Sequence, residues 1–133
     1  MEEVNIIFPN QLFEKNPLFK FNMPTYLIEE NIFFKEFNFH KQKIFFHRLS
    51  MKKYEKHCKN FLSEMFYIES IDKNANIQEL IINLKDKGLK KINLIEFDDN
   101  LLKKRLIDVS DGIILNFVET PQFLNTPNHN SIF

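Results

Sequence analysis

The sequence is poor in the residues that build flexible ligand loops and covalent cross-links. Among its 133 residues only Gly88 and Gly112 are glycine, so neither a phosphate-cradling glycine loop nor a dinucleotide-binding fingerprint fits. The single cysteine, Cys58, excludes an internal disulfide, a four-thiolate zinc site and an iron–sulfur cluster held by this stretch of chain. A lone thiol suits a reducing compartment, and we therefore expect a cytoplasmic protein.

Long apolar runs and an excess of one charge are also missing. No segment approaches the roughly 20 apolar residues of a membrane span, and the start Met1-Glu2-Glu3 lacks the basic region of a signal peptide, so we expect no membrane partner. The 18 Lys and Arg residues balance 18 Asp and Glu residues, which leaves no overall charge to attract a nucleic acid. The hydrophobic fraction of 44%, which includes 16 Phe, is sufficient for the core of one globular domain.

The neutral total conceals one strongly basic stretch. Residues 40–59 contain seven Lys or Arg residues against the single acid Glu55. Lys41 and Lys43 fall at the start of a predicted helix, where free backbone N–H groups favour a phosphate or the polar tail of a ligand. The alternative interpretation is a solvated helix face without a ligand, which is the commoner meaning of such a run.

The histidines in and beside this stretch do not predict a metal site. His40, His47 and His57 are separated by seven and ten residues, and these spacings do not place two ligands on one helical turn. Cys58 falls on the apolar side of the predicted helix, so we expect a buried hydrophobic residue and not a nucleophile. The sequence therefore predicts neither a metal centre nor a catalytic residue.

Short apolar runs alternate with helical patterns along the chain. The expected strands cover residues 4–8, 25–29, 65–68, 91–95 and 112–115, and the expected helices run over about 40–62, from 77 to a stop at Gly88, and over 100–107. Such alternation predicts a doubly wound α/β fold, in which a five-stranded parallel, Rossmann-like sheet carries helices on both faces. Residues 1–118 are expected to form this domain and residues 119–133 an extended tail.

Polar residues follow three of the predicted strands. In doubly wound sheets ligands bind beyond the carboxyl ends of the strands, where the strand order reverses. This rule selects Pro9-Asn10-Gln11, Glu29-Glu30 and the segment from Glu96 to Asp99. The paired carboxylates are suited to acid–base chemistry, but Asp99 or Asn100 equally fits the N-cap of the following helix.

The many Phe residues are expected to form the core first. Residues 8–21 and 33–39 nevertheless contain more Phe than a small core needs. Some of these rings are therefore expected to line a pocket for a flat ring or to cover an interface with another domain.

The order of these features resembles a known family. The resemblance rests on Asn5 to Leu12, on Ile28-Glu29-Glu30, on Phe39-His40-Lys41-Gln42-Lys43-Ile44 with the long helix behind it, and on Glu119 to Leu124. On these residues nearly the whole chain resembles the N-terminal domain of the deoxyribodipyrimidine photolyase-related proteins, the iron–sulfur bacterial cryptochromes and photolyases. The His-Lys-x-Lys-Ile pattern at 40–44 is its most specific part.

The resemblance implies an antenna domain. In that family the N-terminal α/β domain carries an antenna chromophore, typically a ribityl-lumazine, while a larger helical C-terminal domain holds FAD, an iron–sulfur cluster and the DNA lesion. It implies that the parent protein repairs ultraviolet photoproducts, and that DNA is contacted only through the C-terminal FAD domain, which becomes the expected partner. The 133 residues would then not repair DNA alone, because the reduced flavin belongs to that other domain.

The resemblance also implies which residues hold the chromophore. The positions that carry over are Asn10, Gln11, Glu29, Glu30, His40 and Lys43. Two stretches depart from the family pattern. Pro9-Asn10 replaces the usual Gly-Asp, and the turn that begins at Glu96 keeps only the first acid of a Glu-Pro-Gly-Glu-Trp-Arg-like motif.

Two further hypotheses come from other functional classes. The same crevice would serve a stand-alone module that binds a nucleotide or a flavin-like compound. Alternatively, the chain is a structural or interaction domain with an empty crevice.

Overall fold

Five parallel strands form a single sheet in the part of the chain that is described. The computed structural model describes residues 2–30 and 41–121, without the side chains of residues 41–47. The strands are β1 (Glu3–Ile7), β2 (Thr25–Ile28), β3 (Met65–Ile68), β4 (Lys91–Ile95) and β5 (Ile114–Val118). The helices are α1 (Lys41–Cys58), α2 (Ile77–Asp86) and α3 (Asn100–Asp108), with 3-10 turns at Pro17–Phe21 and Lys73–Ala75.

The strand order is β3-β2-β1-β4-β5, and every neighbouring pair is parallel. The order reverses between β1 and β4, because the chain moves outward to β2 and β3 on one side and to β5 on the other. The predicted doubly wound, Rossmann-like α/β class is confirmed. Its ligand-binding rule therefore points to the carboxyl ends of β1 and β4.

Each face of the sheet carries its own hydrophobic core. Val4, Ile6 and Phe8 project from β1 and its end into a cluster that includes the buried face of α2 and the apolar residues of α3. Ile7 points to the opposite face, where Met51 and other residues of α1 pack. The alternation follows from the two-residue period of a strand, and helices on both faces leave the central strands almost without polar exposure.

The element boundaries differ from the sequence prediction by one residue at β1, β2 and the end of α3, and by more at β5 and α1. β5 begins at Ile114 instead of Gly112, because Gly112 has a positive φ of 79° and forms the turn that leads into the strand. α1 ends at Cys58 instead of Leu62, and the backbone N–H of Phe61 and of Leu62 bonds the carbonyl of Cys58 in a closing turn. Gly88 ends α2 as predicted, with a φ of 97°.

Candidate functional site

An open cleft lies where the strand order reverses. It encloses about 420 Å³ beyond the carboxyl ends of β1 and β4. Its described lining comes from the segments at the ends of β1 and β4 and from one residue after β5: Asn10, Gln11, Phe13, Ile95, Glu96, Phe97, Asp98, Asp99 and Thr120. The cleft thus brings together two of the three segments that the strand-end rule selects.

Gln11 forms the base of the cleft and joins its two walls. Its Nε2 donates to the carbonyl of Ile95 at 3.0 Å, and its Oε1 accepts from the backbone N–H of Phe8 at 3.3 Å. The side chain is almost fully buried, so these bonds compensate for its lost hydration. Gln11 therefore holds the ends of β1 and β4 together, while its neighbour Asn10 lies exposed at the rim.

Phe13 lies in the same loop and is held from the α1 side of the sheet. The Tyr54 hydroxyl donates to the Phe13 carbonyl at 2.5 Å and accepts from Nδ2 of Asn16 at 2.9 Å. Burial raises the pKa of Tyr54, so the phenol stays protonated and keeps donating. α1 thereby positions one wall of the cleft through Tyr54.

The opposite wall is acidic. Glu96 forms an ion pair with Lys103 at 3.0 Å, and Asp99 accepts from the backbone N–H of Leu102 as the N-cap of α3. The alternative in which Asp99 caps the following helix is therefore confirmed. Asp98 is exposed at the rim, and Phe97 is buried beneath it, with its ring centroid 5.5 Å from that of Phe8.

Glu29 lies at the end of β2, and the described lining of the cleft does not include it. Its fully buried carboxylate accepts from Nε of Arg48 at 2.9 Å, from Nη2 of Arg48 at 2.6 Å, from the Tyr67 hydroxyl and from the backbone N–H of Ser70 at 2.8 Å. Burial alone raises the pKa of Glu29, but these bonds and the Arg48 charge outweigh burial and lower it. Glu29 is therefore ionised and fully engaged inside the protein.

Glu30, the next residue, binds the start of α2. Its Oε2 accepts from the backbone N–H of Ile77 at 2.5 Å, at the first residue of α2. The neighbouring Asn76 caps the same helix through the N–H groups of Gln78 and Glu79. A buried carboxylate at a helix N-terminus is stabilised by the helix dipole, so Glu30 fastens α2 to the end of β2.

Comparison with known proteins identifies the relatives of this chain. Residues 5–132 match the family described as "Deoxyribodipyrimidine photo-lyase-related protein". The chain belongs to this family. An uncharacterized protein of Acanthamoeba polyphaga mimivirus is 27% identical over 135 aligned residues, which cover 95% of this chain and 68% of the viral protein. The resemblance expected from the sequence is thereby confirmed at the level of the family.

Within this photolyase-related domain, the structure separates the four predicted chromophore-binding residues whose side chains it describes. Asn10 and Gln11 line the cleft, whereas Glu29 and Glu30 serve the two contacts described above. His40 lies outside the described residues, and only the backbone of Lys43, in the first turn of α1, is described. The roles of all six in binding stay predictions.

Several lining residues of the photolyase-related cleft were not predicted individually. Thr120 lies two residues after the end of β5, and Phe13 lies in the connection from β1 to β2. A signal for Thr120 was present, because the rule on strand ends applies to β5 as well. Nothing in the local sequence distinguishes Phe13 from the other Phe residues of its connection.

Other predictions about chemistry can be compared with the described residues. Cys58 is fully buried, and burial raises its pKa to about 12, as expected of a hydrophobic residue and not of a nucleophile. Within residues 2–30 and 41–121, no three or more His, Cys, Asp or Glu side chains cluster so that they could hold a metal ion. Over the same residues, no helix combines the length and apolarity that a membrane crossing requires.

Proposed function

We propose that this chain is the antenna domain of a photolyase-related flavoprotein and that it binds a ribityl-lumazine in the cleft between β1 and β4. The observation that carries the proposal is the position of the cleft at the reversal of the strand order, in a member of the photolyase-related family. Doubly wound sheets bind their ligands at this position.

The lining of the cleft suits a flat ring joined to a hydroxylated chain. Phe13 and Phe97 supply aromatic surface, and Asn10 and Thr120 supply polar side chains. A volume of about 420 Å³ is within the usual range of small-molecule sites. A lumazine ring would pack against the Phe side chains while its ribityl hydroxyls face the polar rim.

The charge of the rim favours a ribityl chain over a phosphate. Asp98 places an exposed carboxylate where a hydroxyl group can donate to it, and a charge-assisted bond of this type is stronger than a neutral one, whereas the Glu96 carboxylate is already paired with Lys103. A phosphate would be repelled by Asp98, and the chain has no glycine loop to compensate. These features support the antenna hypothesis over the nucleotide-binding module.

Light-driven repair itself is assigned to another part of the parent protein. The FAD, the iron–sulfur cluster and the lesion site belong, in this proposal, to the helical C-terminal domain that the resemblance implies. DNA would be contacted through that domain, and this chain would deliver excitation energy to it.

Binding of a ribityl-lumazine to the purified chain tests the proposal directly. We expect fluorescence titration to show saturable binding of the lumazine and much weaker binding of ATP. Asp98→Ala should weaken lumazine binding about tenfold, because a charge-assisted hydrogen bond contributes about 1.5 kcal/mol.

Asp111→Ala is the matched control. Asp111 is also an exposed aspartate, but it precedes β5 and so lies at the amino ends of the strands, on the side of the sheet away from the cleft. Equal loss of binding in both variants would place the ligand elsewhere. Tighter binding of ATP than of the lumazine would favour the nucleotide module, and no binding of either compound would favour the structural domain.

A further inference from the structure

A row of hydrogen-bonded polar side chains crosses the sheet on the face that α1 covers. Asn116 of β5 donates through Nδ2 to Oδ1 of Asn93, Asn93 donates to Oδ1 of Asn5, and Asn5 donates to the Thr25 hydroxyl, at 2.9, 2.9 and 3.1 Å. The four residues are directly paired in the strand register. We call them the asparagine row.

The row is saturated in its interior. Asn5 uses its second N–H on the carbonyl of Leu18 at 3.3 Å, and Asn93 uses its second N–H on the Glu3 carboxylate at 2.8 Å. Asn5, Asn93 and Thr25 are fully buried. Complete pairing is what buried amides require, because an unpaired amide in the core is costly.

The row ends unsaturated at the edge of the sheet. Asn116 makes one side-chain hydrogen bond within the described residues, which leaves its Oδ1 and its second N–H available beyond β5. Among the strands of residues 2–30 and 41–121, β5 pairs with β4 alone and is the last in the order. A further strand laid against β5 would therefore meet a donor and an acceptor on one side chain.

The composition of β5 makes a copy of itself a suitable neighbour. The strand Ile-Leu-Asn-Phe-Val contains no charged residue and no proline, the devices that usually protect an exposed edge. Ile114 is 63% exposed, and the rest of the strand is half-buried. Two such strands can approach without charge repulsion between their side chains, and the backbone groups on the side of β5 away from β4, which no other described strand pairs, would face one another.

We propose that β5 is a homodimer interface, in which two copies pair antiparallel about a two-fold axis at Asn116. Each Asn116 then donates its second N–H to Oδ1 of its symmetry mate, which closes the asparagine row across a ten-stranded sheet. Opposite residues of an antiparallel pair share one face, so Ile114 meets Val118, and Leu115 meets Phe117. An isologous contact of this kind closes on itself and does not propagate into fibres.

Disulfide trapping tests the register as well as the association. Opposite residues lie about 4.5–5.5 Å apart between Cα atoms, within the reach of a disulfide, so Asn116→Cys should yield a cross-linked dimer on mild oxidation. Ile114→Cys should not link to itself, because its two copies would lie about 13 Å apart along the strands. A mixture of Ile114→Cys and Val118→Cys should link. Unsubstituted chain, whose Cys58 is buried, controls for background oxidation.

Sedimentation of the full chain supplies the second measurement. We expect a mass that rises toward two chains with concentration, and a single-chain mass for Asn116→Asp, which would bring two carboxylates together at the axis. The circular dichroism spectrum of that variant verifies that it is folded. A single-chain mass for the unsubstituted protein at every concentration would overturn the proposal, as would self-linking of Ile114→Cys at the rate of Asn116→Cys.

Discussion

Two groups of polar residues at the carboxyl ends of the strands differ in what their carboxylates bind. Beyond β2 and β3, the Glu29 carboxylate is fully buried and accepts four hydrogen bonds from Arg48, Tyr67 and Ser70. Beyond β1 and β4, Asp98 is exposed at the rim of an open cleft. The same strand-end position therefore forms an internal clasp in one half of the sheet and a candidate ligand site in the other.

The rule on strand ends therefore predicts where polar side chains gather beyond the sheet, but not whether a ligand binds to them. A carboxylate there is available to a ligand only where no arginine, phenol or backbone N–H of the protein reaches it first. Arg48 is one of only two arginines in a chain with many lysines. Its planar fork bonds Glu29 through two nitrogens, which a lysine cannot do.

The largest expected effect comes from breaking the clasp. Glu29→Ala should lower the free energy of unfolding by about 3 kcal/mol, because it leaves Arg48, the Tyr67 hydroxyl and the Ser70 N–H without their acceptor. The partial exposure of the Arg48 side chain, 40%, places the expected loss at the lower end of the range for buried ion pairs. Urea denaturation followed by circular dichroism measures it.

Two further variants distinguish the ion pair from general packing. Arg48→Lys keeps the charge but not the fork, so we expect a smaller loss than for Glu29→Ala. Asp98→Ala removes a carboxylate from the open cleft and should change stability by less than about 0.5 kcal/mol. If Asp98→Ala and Glu29→Ala destabilise equally, the distinction between clasp and open cleft fails.

Acid should weaken the clasp, because its hydrogen bonds and ion pair depend on the ionised carboxylate of Glu29. The pKa of Glu29 in the folded chain lies below the ordinary value of 4.5, so its ionised form stabilises the fold. This contribution is fully present above about pH 4.5 and is lost as the pH falls through the lower, folded pKa. The stability difference between the unsubstituted chain and Glu29→Gln should therefore narrow as the pH drops below about 4.5. Denaturation at a series of pH values tests this, and a constant difference would contradict it.

Sequence reasoning predicted the fold better than the site, for physical reasons. The strands and helices follow from hydrophobic periodicity, which is a local signal, and their alternation predicts the doubly wound class. Arg48 and Tyr67, which bind Glu29, lie 19 and 38 residues away in the sequence. Only the folded structure therefore shows that this carboxylate is already bound by protein groups. Where the contact is local, as in the Asp99 cap three residues from Leu102, the sequence predicted the kind of contact and left the choice only between Asp99 and Asn100.

The smallest expected effect separates two neighbouring carboxylates of the open cleft. Asp99→Ala should lower the free energy of unfolding by about 1 kcal/mol, because it removes the N-cap of α3 and leaves the Leu102 N–H unpaired. Asp98→Ala removes the same group one residue earlier, where it caps no helix, and should instead affect ligand binding. Thermal melting and lumazine titration of both variants measure the two effects. A reversed assignment, with Asp98 governing stability and Asp99 governing binding, would contradict both the cap at Asp99 and the proposed role of Asp98 in the cleft.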